Sequence, residues 1–192
     1  MSTDKNEAVW EILEETDVSP SPWFPIKKHK VKLPDHTIVD DYYITTMADA
    51  AMVVPFLKDT GHIVLVNQYK HGQRKHILEL PAGFVQAGKT SAQSAIAELR
   101  EETGISAIED QLIPLGVISN IPTKATHKTY GYLATGLTFN AIQDLDITED
   151  IEVLTKPPQE VIRMIMEGEL WVGDSVSFVL KAYLLYPELF ST

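Results

Sequence analysis

The sequence of 192 residues contains no cysteine. It therefore has no disulfide scaffold, no thiolate zinc site and no cysteine nucleophile. Its longest apolar stretches, Ala50–Leu57 and Phe178–Tyr186, fall well short of the roughly 18 residues that a membrane-spanning helix requires. The N-terminal residues are polar and lack the apolar segment of a secretory signal. We therefore expect a cytoplasmic protein with no membrane partner.

Positive charge is also scarce. Sixteen lysines and arginines face 27 aspartates and glutamates, which gives a net charge of -11. A chain this acidic is a poor candidate for nonspecific binding to nucleic acid, and we expect no nucleic-acid partner. A small polyanionic substrate remains compatible with this charge, provided that local cations or a metal ion offset the field.

The apolar pattern predicts an α+β fold with a mixed sheet between helices. Residues 1–48 predict an extended, β-rich arm, with strands at Val31–Leu33 and Thr37–Ile44. We take residues 49–192 as the second domain. Its predicted strands are Met52–Leu57, His62–Tyr69, His76–Leu80, Gln111–Ser119, Thr129–Thr135 and Ile151–Leu154, of which the first two have the pattern of a β-hairpin. Its predicted helices are Ser91–Thr103, Pro158–Met166 and Ser175–Tyr186.

The helix at Ser91–Thr103 has the clearest signals. Thr90 or Ser91 can cap its N-terminus, and Gly104 stands where a left-handed C-terminal cap belongs. At about 100° per residue, its apolar side chains form one arc that faces the core. These are Ala92, Ala95, Ile96 and Leu99.

Three carboxylates, Glu98, Glu101 and Glu102, form a second arc beside the core-facing one. Like charges this close repel one another, which disfavours their ionised forms. A hard divalent cation such as Mg²⁺ would relieve that repulsion, and it typically adds substrate phosphates as ligands. The alternative interpretation is a solvated acidic helix face, which is how most charge runs behave.

The segment from Gly83 to Ile105 resembles the Nudix box. That family's pattern is Gly, five residues, Glu, seven residues, Arg-Glu-apolar-any-Glu-Glu-any-Gly-apolar. Seven positions match at the correct spacing: Gly83, Glu98, Leu99, Glu101, Glu102, Gly104 and Ile105. Two depart, because Lys89 replaces the first Glu and Ala97 replaces the Arg. Both changes remove charges that brace the loop against the helix in the family.

Flanking segments resemble the ADP-ribose pyrophosphatase branch of this family: Ile63–Tyr69, Leu78–Gly83 and Ile162–Gly168. The resemblance implies metal-assisted attack of water on the diphosphate of a nucleoside diphosphate sugar, with ADP-ribose giving AMP and ribose 5-phosphate. It implies Mg²⁺, with Mn²⁺ as a substitute, and a homodimer built with the N-terminal arm. The implied metal ligands are Glu98, Glu101, Glu102 and the backbone carbonyl of Ala82, and Glu102 is also counted among the catalytic residues.

The same resemblance suggests a general base in the acidic segment 144–150. Glu149 is our first choice and Asp146 the substitute, while a flexible acidic loop is the alternative interpretation. Four residues are candidates for substrate binding: Trp23, Lys70, Glu79 and Pro122. Three of them have an alternative structural interpretation. Trp23 can be a core or interface tryptophan, Glu79 an ordinary strand carboxylate, and Pro122 a plain turn proline.

Two function classes therefore stay open. The intact glutamates favour an active hydrolase, whose substrate is ADP-ribose or another sugar nucleotide such as a GDP-sugar. Lys89 and Ala97 favour a catalytically weak Nudix-fold module that binds or senses a nucleotide.

Overall fold

The computed structural model describes residues 9–191, which divide into two compact units. The first runs up to Met47 and also takes in Ile121–His127. It contains an antiparallel sheet whose strand order follows the chain: β1 (Glu11–Asp17), β2 (Ile26–Lys32) and β3 (Ile38–Thr45). Segment Ile121–His127 joins this unit through backbone hydrogen bonds to Thr45, which the predicted division at residue 48 did not include.

Strand β1 was not among the predicted strands. All seven of its residues are exposed, so it carries no burial pattern. Its acidic side chains instead pair with basic side chains of β2. Asp17 lies 2.9 Å from Lys27 Nζ, Glu15 lies 3.0 Å from His29 Nε2, and Glu11 pairs with Lys32. Cross-strand charge pairs of this kind favour an antiparallel ladder.

The second unit comprises Ala48–Asn120 and the chain from Lys128 onward. Its strands are β4 (Ala50–Leu57), β5 (Ile63–Lys70), β6 (Lys75–Glu79), β7 (Ala82–Phe84), β8 (Leu112–Ile118), β9 (Thr129–Leu137) and β10 (Ile151–Lys156). Its α-helices are α1 (Ser91–Thr103), α2 (Pro158–Glu167) and α3 (Gly173–Leu185). The seven strands form one sheet with the order β10-β5-β4-β9-β8, to which β6 is added beside β5 and β7 beside β4.

The sheet is mixed because β4 and β9 are parallel, while the other pairs are antiparallel. The predicted β4–β5 hairpin is present only at its turn, where Phe56 pairs with Ile63. On the same edge, Ala50–Met52 pair with β7, while the opposite edge of β4 pairs with β9. The local sequence therefore predicts the hairpin turn, but a third strand shortens its ladder.

Helices cover both faces of the sheet, as the α+β prediction required. Met52 and Val54 of β4 face a core cluster that includes residues of α2 and α3. Ala51 and Val53, which alternate with them, face a second cluster that includes Ala95 and Leu99 of α1. Both faces of β4 are therefore buried, which explains its continuous apolar run. Within residues 9–191, the helices are too short or too polar to cross a membrane.

Candidate active site

Helix α1 begins and ends where the sequence predicted. Thr90 is the N-cap: its side chain accepts a 3.1 Å hydrogen bond from Gln93 N, and the Gln93 side chain accepts one from Thr90 N. Gly104 ends the helix with φ of 73°, in the left-handed region that glycine tolerates. These two caps fix the register of α1 and hence the direction of its three glutamates.

Glu102 is the most buried of these glutamates, with 3% of its surface exposed. Its Oε2 accepts a 2.9 Å hydrogen bond from the backbone N of Ala82, in β7. Burial raises its pKa to about 8, and the charges of Glu98 and Glu79 add to the shift, while the bond from Ala82 and the charge of Lys70 oppose it. Glu102 therefore lies in a site that strongly disfavours an uncompensated negative charge.

Glu98 lies one turn earlier on α1, against Gly83. A Cβ at position 83 would overlap the Glu98 carboxyl group, so a larger residue there would displace this carboxyl group from its position. Burial raises the pKa of Glu98 to about 7, and the nearby charges of Glu101 and Glu149 contribute. The match at Gly83 thus has a steric reason in this chain.

A cavity of about 470 Å³ lies beside these carboxylates. It brings together seven of the predicted site residues: Lys70, Ala82, Glu98, Glu101, Glu102, Asp146 and Glu149. Its remaining lining residues are Gln68, Gly83, Phe84, Gln86, Asp144 and Thr148. Residues far apart in the sequence therefore meet at one acidic site.

Lys70 is the basic side chain of this cavity lining. Its Nζ lies 2.6 Å from Glu79 Oε1 and also donates a hydrogen bond to Gln68 Oε1. The Glu79 side chain is only 14% exposed, so it is not an ordinary exposed strand carboxylate. Burial raises the pKa of Glu79, and the charge of Lys70 opposes that shift. Lys70 and Glu79 form an ion pair at the edge of the cavity.

The acidic segment 144–150 supplies the two candidate bases. Glu149 N donates a 2.9 Å hydrogen bond to Asp146 O, and Asp146 N donates a 3.0 Å bond to Glu149 Oε2. The two residues close a small turn, and both line the cavity. One Glu149 oxygen is therefore occupied within the turn.

Trp23 and Pro122 belong to the first unit and are exposed, Trp23 by 91%. The exposure excludes a core role for Trp23 within the chain as described. The predicted roles of both residues in substrate binding stay predictions.

The loop before α1 has a connection that the sequence did not predict. Ser94 is fully buried although it lies on the arc of the glutamates, and its Oγ accepts a 3.1 Å hydrogen bond from Gln86 N. Lys89 is exposed, and Arg100 pairs with Asp144 at 3.5 Å. Ser94 thus connects the loop before α1 to the helix by a hydrogen bond. The family pattern has a Glu and an Arg in this region, and here Lys89 and Ala97 replace them. The helical period places Ser94 on the same arc as Glu98 and Glu101, so the sequence held no signal that its side chain is buried.

The donor set suits a hard divalent cation, since it consists of carboxylate and carbonyl oxygens. Burial and neighbouring carboxylates raise the pKa values of Glu98 and Glu102, and a bound cation would offset both effects. Among residues 9–191, no three aspartate, glutamate or histidine side chains already converge closely enough to hold an ion.

Comparisons with known proteins agree with this geometry. An ADP-ribose pyrophosphatase of Mycobacterium tuberculosis is 29% identical over 83% of this chain and 76% of its own length. An ADP-ribose pyrophosphatase of Bacillus subtilis is 27% identical over 72% of this chain and 73% of its own length. A crystal structure of an ADP compounds hydrolase superposes with a TM-score of 0.81 at 21% identity, covering 93% of this chain and 95% of that one, which confirms the fold.

Family models cover both units. Residues 10–45 match the nucleoside diphosphate sugar hydrolase N-terminal domain. Residues 46–160, more than half of the chain, match the NUDIX domain. Members of that family generally use divalent metals, as the carboxylates of α1 suggest. Together with the glutamates of α1 on one cavity, this match establishes that the chain belongs to the Nudix hydrolase family.

Proposed function

We propose that this protein hydrolyses the diphosphate of a nucleoside diphosphate sugar, with ADP-ribose giving AMP and ribose 5-phosphate. The observation that carries the proposal is the cavity where Glu98 and Glu102, both with raised pKa values, face the acidic turn of Asp146 and Glu149. The relatives named for ADP-ribose hydrolysis support this choice of substrate.

The ligands that we propose for the metal are Glu98, Glu101, Glu102 and the carbonyl of Ala82, with Mg²⁺ as the ion and Mn²⁺ as a substitute. When bound, such an ion offsets the negative charge that develops on the diphosphate oxygens. Ala82 already holds Glu102 through its N–H. This bond fixes one carboxylate relative to β7 before any ion binds.

The chemical step needs a proton acceptor beside the attacking water. The water oxygen forms a bond to one phosphorus while the bond from that phosphorus to the bridging oxygen breaks. The bridging oxygen leaves with the other phosphate, and the water's proton passes to Glu149, with Asp146 as the substitute acceptor. Lys70 lies at the cavity edge, where its charge can bind a phosphate oxygen.

The first unit supports a further part of the proposal, a homodimer. Its exposed large apolar side chains include Trp10, Trp23, Phe24 and Tyr43. Clusters of exposed apolar side chains are typical of protein interfaces. Sedimentation equilibrium of the purified chain tests this part by itself, and a monomer at all concentrations would contradict it.

The direct test is product analysis with Mg²⁺ or Mn²⁺ and a panel of ADP-ribose, ADP-glucose, GDP-mannose, NADH and dinucleoside polyphosphates. We expect Glu102→Gln to lower turnover by about 100-fold or more, because it removes a negatively charged ligand of the proposed metal ion, whose positive charge stabilises the transition state. Glu188→Gln, at an exposed glutamate outside the cavity, is the matched control.

Two results would contradict the proposal. Turnover that is unchanged in Glu102→Gln would remove this carboxylate from the mechanism. No turnover of any substrate, combined with a higher melting temperature in ADP-ribose, would favour the binding module that Lys89 and Ala97 suggest.

A further inference from the structure

The C-terminal end of α1 is capped by the segment that precedes the acidic turn. The last carbonyls of a helix have no partner within the helix. Here Asp144 N donates a 2.9 Å hydrogen bond to Glu101 O, and Gln143 Nε2 donates one of 2.7 Å to Glu102 O. The carbonyls of two proposed metal ligands are thus bound by neighbouring residues of one segment.

The same segment also binds the helix cap. Gly104 O accepts hydrogen bonds from Asn140 N at 3.1 Å and from Ala141 N at 2.9 Å. The Asn140 side chain pairs with the backbone of Ser106 through both its oxygen and its nitrogen. Residues 140–144 are therefore packed against the C-terminal end of α1 through hydrogen bonds.

Gln143 makes one more contact that sets it apart. Its Nε2 also lies 3.4 Å from Ile151 O, at the start of β10. An amide nitrogen carries two N–H donors, so one side chain can serve both carbonyls. Gln143 thereby connects the end of α1 to the start of β10. The acidic segment 144–150 lies between Gln143 and Ile151 in the sequence, so this side chain holds both of its ends near α1.

The acidic turn has few other attachments. Its internal bonds link Asp146 and Glu149 to each other. Arg100 reaches Asp144 at 3.5 Å, but both side chains are substantially exposed, so this ion pair contributes little. The position of the turn over the cavity therefore depends on how its two ends are held.

We infer that Gln143 is a positioning residue, which holds the turn of Asp146 and Glu149 at a fixed distance from the glutamates of α1. This inference rests on the proposed function for its effect on turnover. Its effect on the turn itself is independent of substrate. Small displacements of a proton acceptor have large effects on rate, since misplacement by about 1 Å can cost about 100-fold.

The test is Gln143→Met, which keeps the length of the side chain and removes both N–H donors. Gln159→Met, at an exposed glutamine of α2, is the matched control. Amide hydrogen exchange across residues 140–151 and across α1 is measured beside steady-state kinetics. We expect faster exchange confined to residues 143–150, and a kcat lower by about tenfold with KM changed by less than about threefold. Mn²⁺ affinity, measured by calorimetry, should stay close to that of the control.

Three outcomes would overturn the inference. Exchange of residues 143–150 that equals the control would show that the side chain does not hold the turn. Faster exchange with unchanged kcat would show that the turn's position does not matter for turnover. Faster exchange throughout α1 would indicate a general structural role. If the wild-type protein turns over none of the substrates, the proposed function fails, and the exchange measurement alone decides whether Gln143 holds the turn.

Discussion

The backbone N–H of Ala82 donates a 2.9 Å hydrogen bond to Glu102 Oε2, which links β7 directly to the most buried carboxylate of α1. This donor stabilises the ionised carboxylate, but it does not compensate for burial and for the neighbouring negative charges. The pKa of Glu102 accordingly stays raised, at about 8. The protein without metal therefore contains an acidic site that holds protons near neutral pH.

The stability of the metal-free protein should fall as pH rises from about 5 to about 8. The pKa values of Glu98 and Glu102 rise from 4.5 to about 7 and about 8 in the folded state. Between these values the folded chain binds more protons than the unfolded chain, so the free energy of unfolding decreases with pH. Chemical denaturation in a chelator, at intervals across this range, measures the slope.

Glu102→Gln is the control for this dependence, because an amide does not titrate and its oxygen can still accept the bond from Ala82. We expect the variant to lose much of the slope, and to be at least as stable as the wild type near pH 8. Adding Mg²⁺ should restore wild-type stability more strongly at higher pH, since ligands bind metal in their deprotonated form. Equal slopes in both proteins would show that Glu102 does not titrate in this range.

Ser94→Ala should weaken the connection between the loop and α1. The change leaves Gln86 N without its acceptor, and because this donor is only partly buried we expect a cost of about 1 kcal/mol. We expect a lower melting temperature and a lower kcat. Adding Lys89→Glu and Ala97→Arg, which restores the charges of the family pattern, should recover part of the rate.

The double-mutant comparison distinguishes this role from simple loss of packing. If Lys89→Glu with Ala97→Arg changes kcat by the same factor in the wild type and in Ser94→Ala, the restored charge pair and the Ser94 hydrogen bond act independently. That result would contradict the idea that Ser94 replaces the missing charge pair.

Lys70→Met should raise KM by about tenfold, because the cavity loses a cation that can bind phosphate. The change also leaves the half-buried Glu79 without its ion-pair partner, which lowers stability. Lys70→Met combined with Glu79→Gln separates the two effects. We expect the double variant to recover stability while its KM stays high. If KM returned to the wild-type value as well, Lys70 would act by pairing with Glu79 and not by binding phosphate.

Sequence alone predicted α1 closely because its determinants are local. Thr90, the apolar spacing and Gly104 lie within one short segment, and the three glutamates follow from the helical period. Strand β1 was missed because its acidic side chains pair with basic side chains of β2. The β4–β5 hairpin was confirmed at its turn, but its ladder is short because β7 occupies the first part of the same edge of β4. Long-range partners of this kind leave no local pattern.

The candidate site divides in the same way. The glutamates of α1 and the acidic segment were predicted from the residues and the resemblance. Their connections were not, because Gln143 and Glu102 are 41 positions apart and the bond depends on the folded loop. The bond of Ser94 to Gln86 is only eight positions long, yet nothing in the sequence distinguishes it from a solvated serine.

Gly104→Ala tests how closely residues 140–144 must approach α1. Gly104 has φ of 73°, and a Cβ there would lie 2.7 Å from Ala141 O. Gly136→Ala is a matched control, because Gly136 has φ of 71° and nothing within 4 Å of its added Cβ. Both variants carry the cost of a left-handed alanine, of about 1 kcal/mol, and only Gly104→Ala must also displace a backbone carbonyl.

We therefore expect Gly104→Ala to lower the free energy of unfolding by more than Gly136→Ala, and to lower kcat as well. Displacing Ala141 disturbs the bonds that hold the acidic turn, so the loss of rate should accompany faster exchange in residues 140–144. Denaturation curves and kinetics of the two variants supply both quantities. Equal destabilisation would mean that the loop moves aside without cost, and the close approach to α1 would then play no part in placing Glu149.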